Sequence, residues 1–222
     1  MPATRSGWSV LVAMLIMSLS CTARAQLSAP APMPKSDLPA PKDDEKTRTA
    51  IFGMGCFWCS VGIFEQFKGV ISAQAGYAGG TAETATYDKY ELSNHAEAVK
   101  ITYDPHQITY ARLLQILFTV GDATTKDGQA PDFGHQYRIA VFYENDDQKK
   151  VAEAYIKQLT DAKVFDKPIA VTVEDMPHGF FPAEEYHQEF VKKNPDQPYV
   201  RSCSLPKMQR ARGLFKDLLK GN

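Results

Sequence analysis

The residues with the clearest chemical potential lie in Gly53-Met54-Gly55-Cys56-Phe57-Trp58-Cys59. A strand-like run over 48–52 enters two glycines and then a cysteine. A helical pattern follows, with Phe57, Val61 and Phe64 at i, i+4 and i+7. Cys56 is therefore predicted at or just before a helix N-terminus, where unpaired N–H groups and the macrodipole favour thiolate over thiol. The glycines permit a tight strand-to-helix turn and close approach by a substrate. Taken alone, such a cysteine also fits a buried core thiol. Cys59 completes a C-x-x-C pair, which opens a second chemistry, thiol–disulfide exchange of the thioredoxin type. Five histidines (His95, His106, His135, His178, His187) show no paired H-x3–5-H spacing, so a zinc site has no support.

Glu97 begins a strand on which Glu97, Val99, Ile101 and Tyr103 share one face by period-2 alternation. A carboxyl on that apolar face is either solvated at the strand end or desolvated with a raised pKa. Tyr137 shares a strand face with Ile139 and Val141, as a core tyrosine with a satisfied hydroxyl would. Tyr87 lies in the unpatterned stretch 77–96. Asp132 precedes the Tyr137 strand. Phe57 and Trp58 read as core aromatics.

These words resemble peptide methionine sulfoxide reductase of the A type, whose signature is Gly-Cys-Phe-Trp. The resemblance continues in order through Gly76-Tyr77-Ala78-Gly79-Gly80, Thr86-Tyr87, His95-Ala96-Glu97-Ala98-Val99, Tyr103-Asp104-Pro105, Asp132-Phe133-Gly134-His135-Gln136-Tyr137-Arg138 and Pro182-Ala183-Glu184-Glu185-Tyr186-His187-Gln188, covering about 48–200. It implies that Cys56 is the nucleophile, that Glu97 donates a proton to the sulfoxide oxygen, and that Tyr87 and Tyr137 hold that oxygen. Phe57 and Trp58 would wall the substrate's ε-methyl group, with Asp132 near the substrate backbone. The implied substrate is the S epimer of methionine sulfoxide, free or in peptides.

The chemistry calls for these residue types. A sulfoxide sulfur is electrophilic only when its oxygen is polarised or protonated as a thiolate attacks. A thiolate, a protonated carboxyl and phenols supply this without metal or organic cofactor. Cys56 would become a sulfenic acid, a second thiol would condense with it, and a thioredoxin-like dithiol would close the cycle.

Three positions depart from the commonest family pattern. Cys59 stands where glycine is usual, Gly121-Asp122-Ala123 replaces His-Asp-Pro, and Asn94 replaces a glycine before His95. The first leaves two candidates for the resolving thiol. Two helical residues three apart hold their Cβ atoms roughly 5–6 Å from each other, wider than the ~3.5–4.5 Å of a disulfide. Cys203, beyond the irregular Asn194-Pro195-Asp196-Gln197-Pro198, is therefore preferred, with Cys59 as the alternative if Cys56 precedes the first turn.

The elements that must position these groups alternate. Strands are predicted near 48–54, 70–76, 97–103, 137–143 and 168–175, and helices near 57–68, 109–119, 147–160 and 183–193, with Thr109 as an N-cap. Two β-α-β units suggest an α+β, two-layer α/β plait, and the resemblance implies a ferredoxin-like core wrapped in long loops. The catalytic domain is placed at 47–200.

Ahead of it, Arg5, an apolar run from Trp8 to Leu19 and Ala23-Arg24-Ala25 read as a secretory signal over 1–25. That predicts an exported protein, in the bacterial periplasm. Its removal leaves Cys56, Cys59 and Cys203, an odd count that points to a reactive thiol rather than a stapled framework. Residues 26–46, with five prolines, read as an extended tether. The tail 201–222 carries the candidate resolving cysteine and reads as a surface helix or a frayed end. A formal charge of −1 over 222 residues predicts no nucleic-acid partner. Oxidised proteins and peptides, and a thioredoxin-like reductant, are the expected partners of a monomer.

Overall fold

A computed structural model describes residues 27–221. The signal sequence expected over 1–25 lies outside them. Among the described residues eight strands and five α-helices follow one another: β1 (Arg48–Met54), α1 (Phe57–Phe64), β2 (Val70–Ala78), β3 (Ala96–Tyr103), α2 (Tyr110–Val120), β4 (Gly128–Gln129), β5 (Asp132–Phe133), β6 (Ile139–Phe142), α3 (Asp146–Asp161), β7 (Thr172–Glu174), β8 (Phe181–Pro182), α4 (Phe190–Lys193) and α5 (Leu205–Leu214).

The fold is mixed α/β around a six-stranded sheet in the order β7-β6-β1-β3-β2-β8. Its neighbours are antiparallel except β6 and β7. Alternation divides the sheet's side chains. Phe52, Val99, Ile101, Ile139 and Val141 join the large core with residues of α1, α2 and α3. Ile51, Ala98, Ala140 and Phe142 form a smaller cluster closed by Met176 and Phe180. Glu97, on the same parity as Val99 and Ile101, thus belongs to the face that the helices cover.

Helix starts follow their caps. Thr109 accepts from the Arg112 amide at 3.2 Å, as the sequence predicts, and Asn145 accepts from the Gln148 amide at 3.0 Å. Asp146 and Asp147 then meet the positive end of α3.

Three expectations change. The helix predicted over 183–193 is only a 3-10 turn (Glu185–His187) and α4, separated by Glu189 at φ 53°. The Gln188 side chain explains the break. It accepts from the Ala75 amide at 3.0 Å and donates to the carbonyls of Ala75 (3.0 Å) and Ala183 (2.8 Å), so it pairs with β2 instead of continuing a helix. Tyr137 ends a 3-10 turn (His135–Tyr137) ahead of β6 rather than lying in that strand.

The proline-rich segment is extended, but it is docked rather than a tether. Ala31 is buried, its amide donating to Thr119 Oγ1 at 3.0 Å. Tyr155 Oη donates to the Pro32 carbonyl and Gln158 Nε2 to that of Met33, both at 2.8 Å. Chain without regular structure can pack here because α2 and α3 supply partners for its backbone groups.

Of the two readings of the tail, the surface helix is the one that forms. A π-helical turn (Val200–Ser204) leads into α5, and Phe215 packs fully buried on Phe67 with ring centroids 6.0 Å apart. Phe215→Ala is expected to destabilise the protein by about 3–5 kcal/mol, read as a lower urea midpoint with an unchanged slope.

Candidate active site

The strand-to-helix turn is shaped by Gly55, at φ +71°, where an added Cβ would stand 2.5 Å from Gln129 Cβ. This left-handed, crowded position requires glycine. Cys56 follows as the N-cap of α1 with φ −50° and ψ 122°, so it precedes the first helical turn. It is buried. The first free amide of the helix, that of Phe57, donates to Glu97 Oε2 at 2.8 Å. A donor that could have served the thiol is thereby given to a carboxyl.

Glu97 is 2 % exposed. Burial pushes its carboxyl up to about 8, against the opposing pull of the Phe57 amide and the Tyr90 hydroxyl. Tyr90 Oη donates to Glu97 Oε1 at 2.8 Å. Tyr137 and Tyr87 gather at the same point. Tyr137 lies beside Tyr90, and its ionisation is pushed up by burial, then by the charges of Glu97, Cys56 and Asp132. Tyr87 stacks on Tyr90 with centroids 5.6 Å apart, and burial followed by Glu97 and Cys56 raises its phenol. Near neutral pH the cluster thus presents a neutral carboxyl and neutral phenols beside the Cys56 sulfur.

The two nearer thiols form a pair. Cys59, on the first turn of α1, is buried and lies beside Cys56. Its Sγ also lies 3.2 Å from Ser204 Oγ and 3.8 Å from Tyr199 Oη. Burial pushes the Cys56 thiol well above its ordinary value, reinforced by the Cys59 contact and Glu97. The Cys56 thiol, with Lys207, Ser204 and Tyr199, brings Cys59 down to about 6 against burial. Of the two thiols, Cys59 has the surroundings that favour ionisation, and Cys56 is the one whose burial opposes it. Against the expectation that the helix N-terminus favours a Cys56 thiolate, the Phe57 amide is given to Glu97 and burial raises the Cys56 thiol. Cys203 is also buried, in the turn Val200–Ser204, with its sulfur 3.6 Å from Ser202 Oγ.

Phe57 and Trp58 form an aromatic wall beside the thiols. Phe57 is buried, with its ring 4.9 Å from His187. Trp58 stacks on Phe190 at 3.7 Å and meets Tyr199 edge-on. Its Nε1 donates to His187 Nδ1 at 3.1 Å, which fixes the indole plane and leaves the imidazole proton on Nε2. Asp132, half-buried in β5, accepts from Tyr199 Oη. Glu184 accepts from Tyr77 Oη at 2.8 Å and from the Tyr87 amide at 2.9 Å, anchoring the loop that carries Tyr87.

The chain matches the sequence profile of the family described as peptide methionine sulfoxide reductase over residues 48–217. It belongs to that family. It is 46% identical over 177 residues to "Peptide methionine sulfoxide reductase MsrA 2" of Synechocystis sp., covering 78% of this chain and 82% of the relative. Against "Peptide methionine sulfoxide reductase MsrA 2" of Mesorhizobium japonicum it is 45% identical over 182 residues, 79% of this chain and 93% of the relative. Among solved structures it is similar to reduced Mxr1 of Saccharomyces cerevisiae, with TM-score 0.61, 29% identity, and coverage of 69% of this chain and 89% of that one. The methionine sulfoxide reductase A of Corynebacterium diphtheriae gives TM-score 0.55 and 28% identity over 75% of this chain and 84% of that one. The enzyme is a peptide-methionine (S)-S-oxide reductase, performing thiol-dependent reduction of methionine sulfoxide in protein repair. The rival thiol–disulfide oxidoreductase reading is not favoured.

In this reductase, the structure gathers Cys56, Cys59, Glu97, Tyr87 and Tyr137 in one cluster, with Phe57 and Trp58 beside it and Asp132 joined through Tyr199. Sequence reasoning missed Tyr90, His187 and Tyr199. Tyr90 and His187 lie in 3-10 turns and Tyr199 just before a π-helical one, where no periodicity marks an inward face. His187 stands inside Pro182-Ala183-Glu184-Glu185-Tyr186-His187-Gln188, and its usable signal is the pair Phe57 and Trp58, whose indole needs one polar partner.

Proposed function

We propose that Cys56 attacks the sulfoxide sulfur while neutral Glu97 protonates its oxygen. The observation that carries this is the buried Glu97 carboxyl, held neutral up to about pH 8 and hydrogen-bonded to the amide next to Cys56. Tyr87 and Tyr137 hold the oxygen, and Tyr90 orients Glu97. Phe57 and Trp58 receive the ε-methyl group, with Asp132 near the substrate backbone. As Cys56 attacks, its proton passes to Cys59. The attack joins the Cys56 sulfur to the substrate sulfur; that bond and the methionine S–O bond then break as the oxygen, carrying the Glu97 proton, passes to Cys56 and forms a sulfenic acid. The sulfoxide is reduced and Cys56 oxidised by two electrons, and methionine leaves.

A thiol then attacks Cys56, whose S–O bond breaks. The oxygen departs as water with that thiol's proton. We assign this step to Cys59 ahead of Cys203, the sequence-based preference. One ground for preferring Cys203 was a helical Cys56. Cys56 instead precedes the first turn and its thiol already contacts Cys59. A thioredoxin-like dithiol would reduce the disulfide, and the reductase would work as an exported monomer. The signal-like composition of 1–25 supports export to the periplasm. The core reads as a ferredoxin-like plait, supported by the order β6-β1-β3-β2 with α1 and α2 as the two crossovers.

The test is peptide mapping after one equivalent of methionine S-sulfoxide, without reductant. Cys203→Ser is expected to form the Cys56–Cys59 bond at the wild-type rate. Cys59→Ser should release one methionine per protein and keep Cys56 oxidised for longer. A Cys56–Cys203 bond in the wild type would return the resolving role to Cys203.

A further inference from the structure

The C-terminal segment does more than pack. Three of its polar side chains converge on one sulfur, that of Cys59. Ser204 Oγ stands 3.2 Å from Cys59 Sγ and is fully buried, so its hydroxyl has a sulfur rather than water as neighbour. Tyr199 Oη lies 3.8 Å from the same sulfur and is tied to Asp132. Lys207, half-buried on the first turn of α5, lines a narrow crevice with Cys59, walled by Met54, Ile63, Val120 and Gly121. The π-helical turn brings Tyr199, Ser204 and Lys207 to one side of Cys59.

We propose that Ser204 and Lys207 are positioning residues of the resolving step, holding Cys59 in its nucleophilic, charge-bearing form for attack on the Cys56 sulfenic acid. This rests on Cys59 being the resolving thiol. The hydroxyl of Ser204 donates to the sulfur, and the ammonium of Lys207 offsets its charge. Around Cys59 the other charged or titratable groups are Cys56 on its own helix, Glu97 on β3, and Tyr199 with Asp132 behind it. Lys207 is the cation of this set, so the acidic groups facing Cys59 are opposed chiefly from α5. Its electrostatic effect lowers the Cys59 pKa, as does the Ser204 hydrogen bond. In the step itself the Cys59 sulfur bonds to the Cys56 sulfur and the Cys56 S–O bond breaks. The hydroxyl leaves as water with the proton Cys59 gives up, and no outside oxidant is needed.

The experiment follows the full-length enzyme after one equivalent of methionine S-sulfoxide by rapid acid quench. Methionine release and the Cys56–Cys59 bond are quantified in the same samples from pH 5.5 to 9, a range chosen about the usual thiol values. The quantity read is the interval between the two events. In Lys207→Gln and Ser204→Ala the interval at pH 6.5 is expected to lengthen about tenfold for each unit by which the thiol is raised. It should return to the wild-type value near pH 9. Lys207→Arg, which keeps the charge, should retain the wild-type profile. An unchanged profile in Lys207→Gln and Ser204→Ala overturns the proposal. So does a slowing that is equal at every pH and is not rescued by arginine, because that is a packing defect. If the wild type forms no Cys56–Cys59 bond, the assignment of Cys59 itself has failed, and this result is distinct from both.

Discussion

Cys56→Ser is expected to abolish methionine formation from the S-sulfoxide, by at least about 10⁴-fold, the scale on which loss of a nucleophile is felt. A serine at the N-cap of α1 suits the helix start, so the fold should persist. Its hydroxyl cannot take up the oxygen as a sulfur does. Neither remaining thiol of the described residues can substitute: Cys59 lies a helical turn further on, against Ser204, and Cys203 lies beside Ser202. The check is single-turnover methionine release, with circular dichroism confirming the unchanged fold.

Glu97→Gln is expected to slow methionine release about 10²–10⁴-fold, the usual contribution of a general acid, with little change in substrate binding. Glutamine can still accept from the Phe57 amide and meet the Tyr90 hydroxyl, but it has no acidic proton to give. The pH dependence adds a sharper signature. Burial holds Glu97 up to about 8, so its proton is present below that pH and absent above it. Wild-type methionine release, measured under single-turnover conditions, should therefore fall as pH rises through about 8. Glu97→Gln should lack that limb. The same displacement acts on stability: the raised carboxyl favours the folded state fully below its unfolded value near 4.5, and this is lost as pH rises through about 8. The wild type should lose stability relative to Glu97→Gln across that window.

The legible part of the site was what local patterns encode. The glycine turn placed Cys56, and strand alternation put Glu97 on the helix-covered face. The resemblance supplied the roles of Tyr87, Tyr137, Asp132, Phe57 and Trp58. Illegible were contacts made across the fold from turns without a period. Tyr90, His187 and Tyr199 touch Glu97, Trp58 and Asp132 respectively, and nothing in their own segments announces it. The same limit explains the docked N-terminal strap. Its prolines describe an extended chain correctly, yet Thr119, Tyr155 and Gln158, which hold it, are distant in sequence. The partner of the first helical amide was equally hidden, because the Phe57 N–H donates to Glu97, forty residues on.

The central claim is that Cys56 itself takes the oxygen from the sulfoxide. The most direct measurement uses Cys59→Ser/Cys203→Ser, which leaves Cys56 without its proposed resolving partners. Mixed with one equivalent of methionine S-sulfoxide and no reductant, then trapped with dimedone, it should release one methionine per protein and carry one adduct, mapped to Cys56. Methionine release with no adduct on Cys56, or the adduct on another residue, would contradict the account.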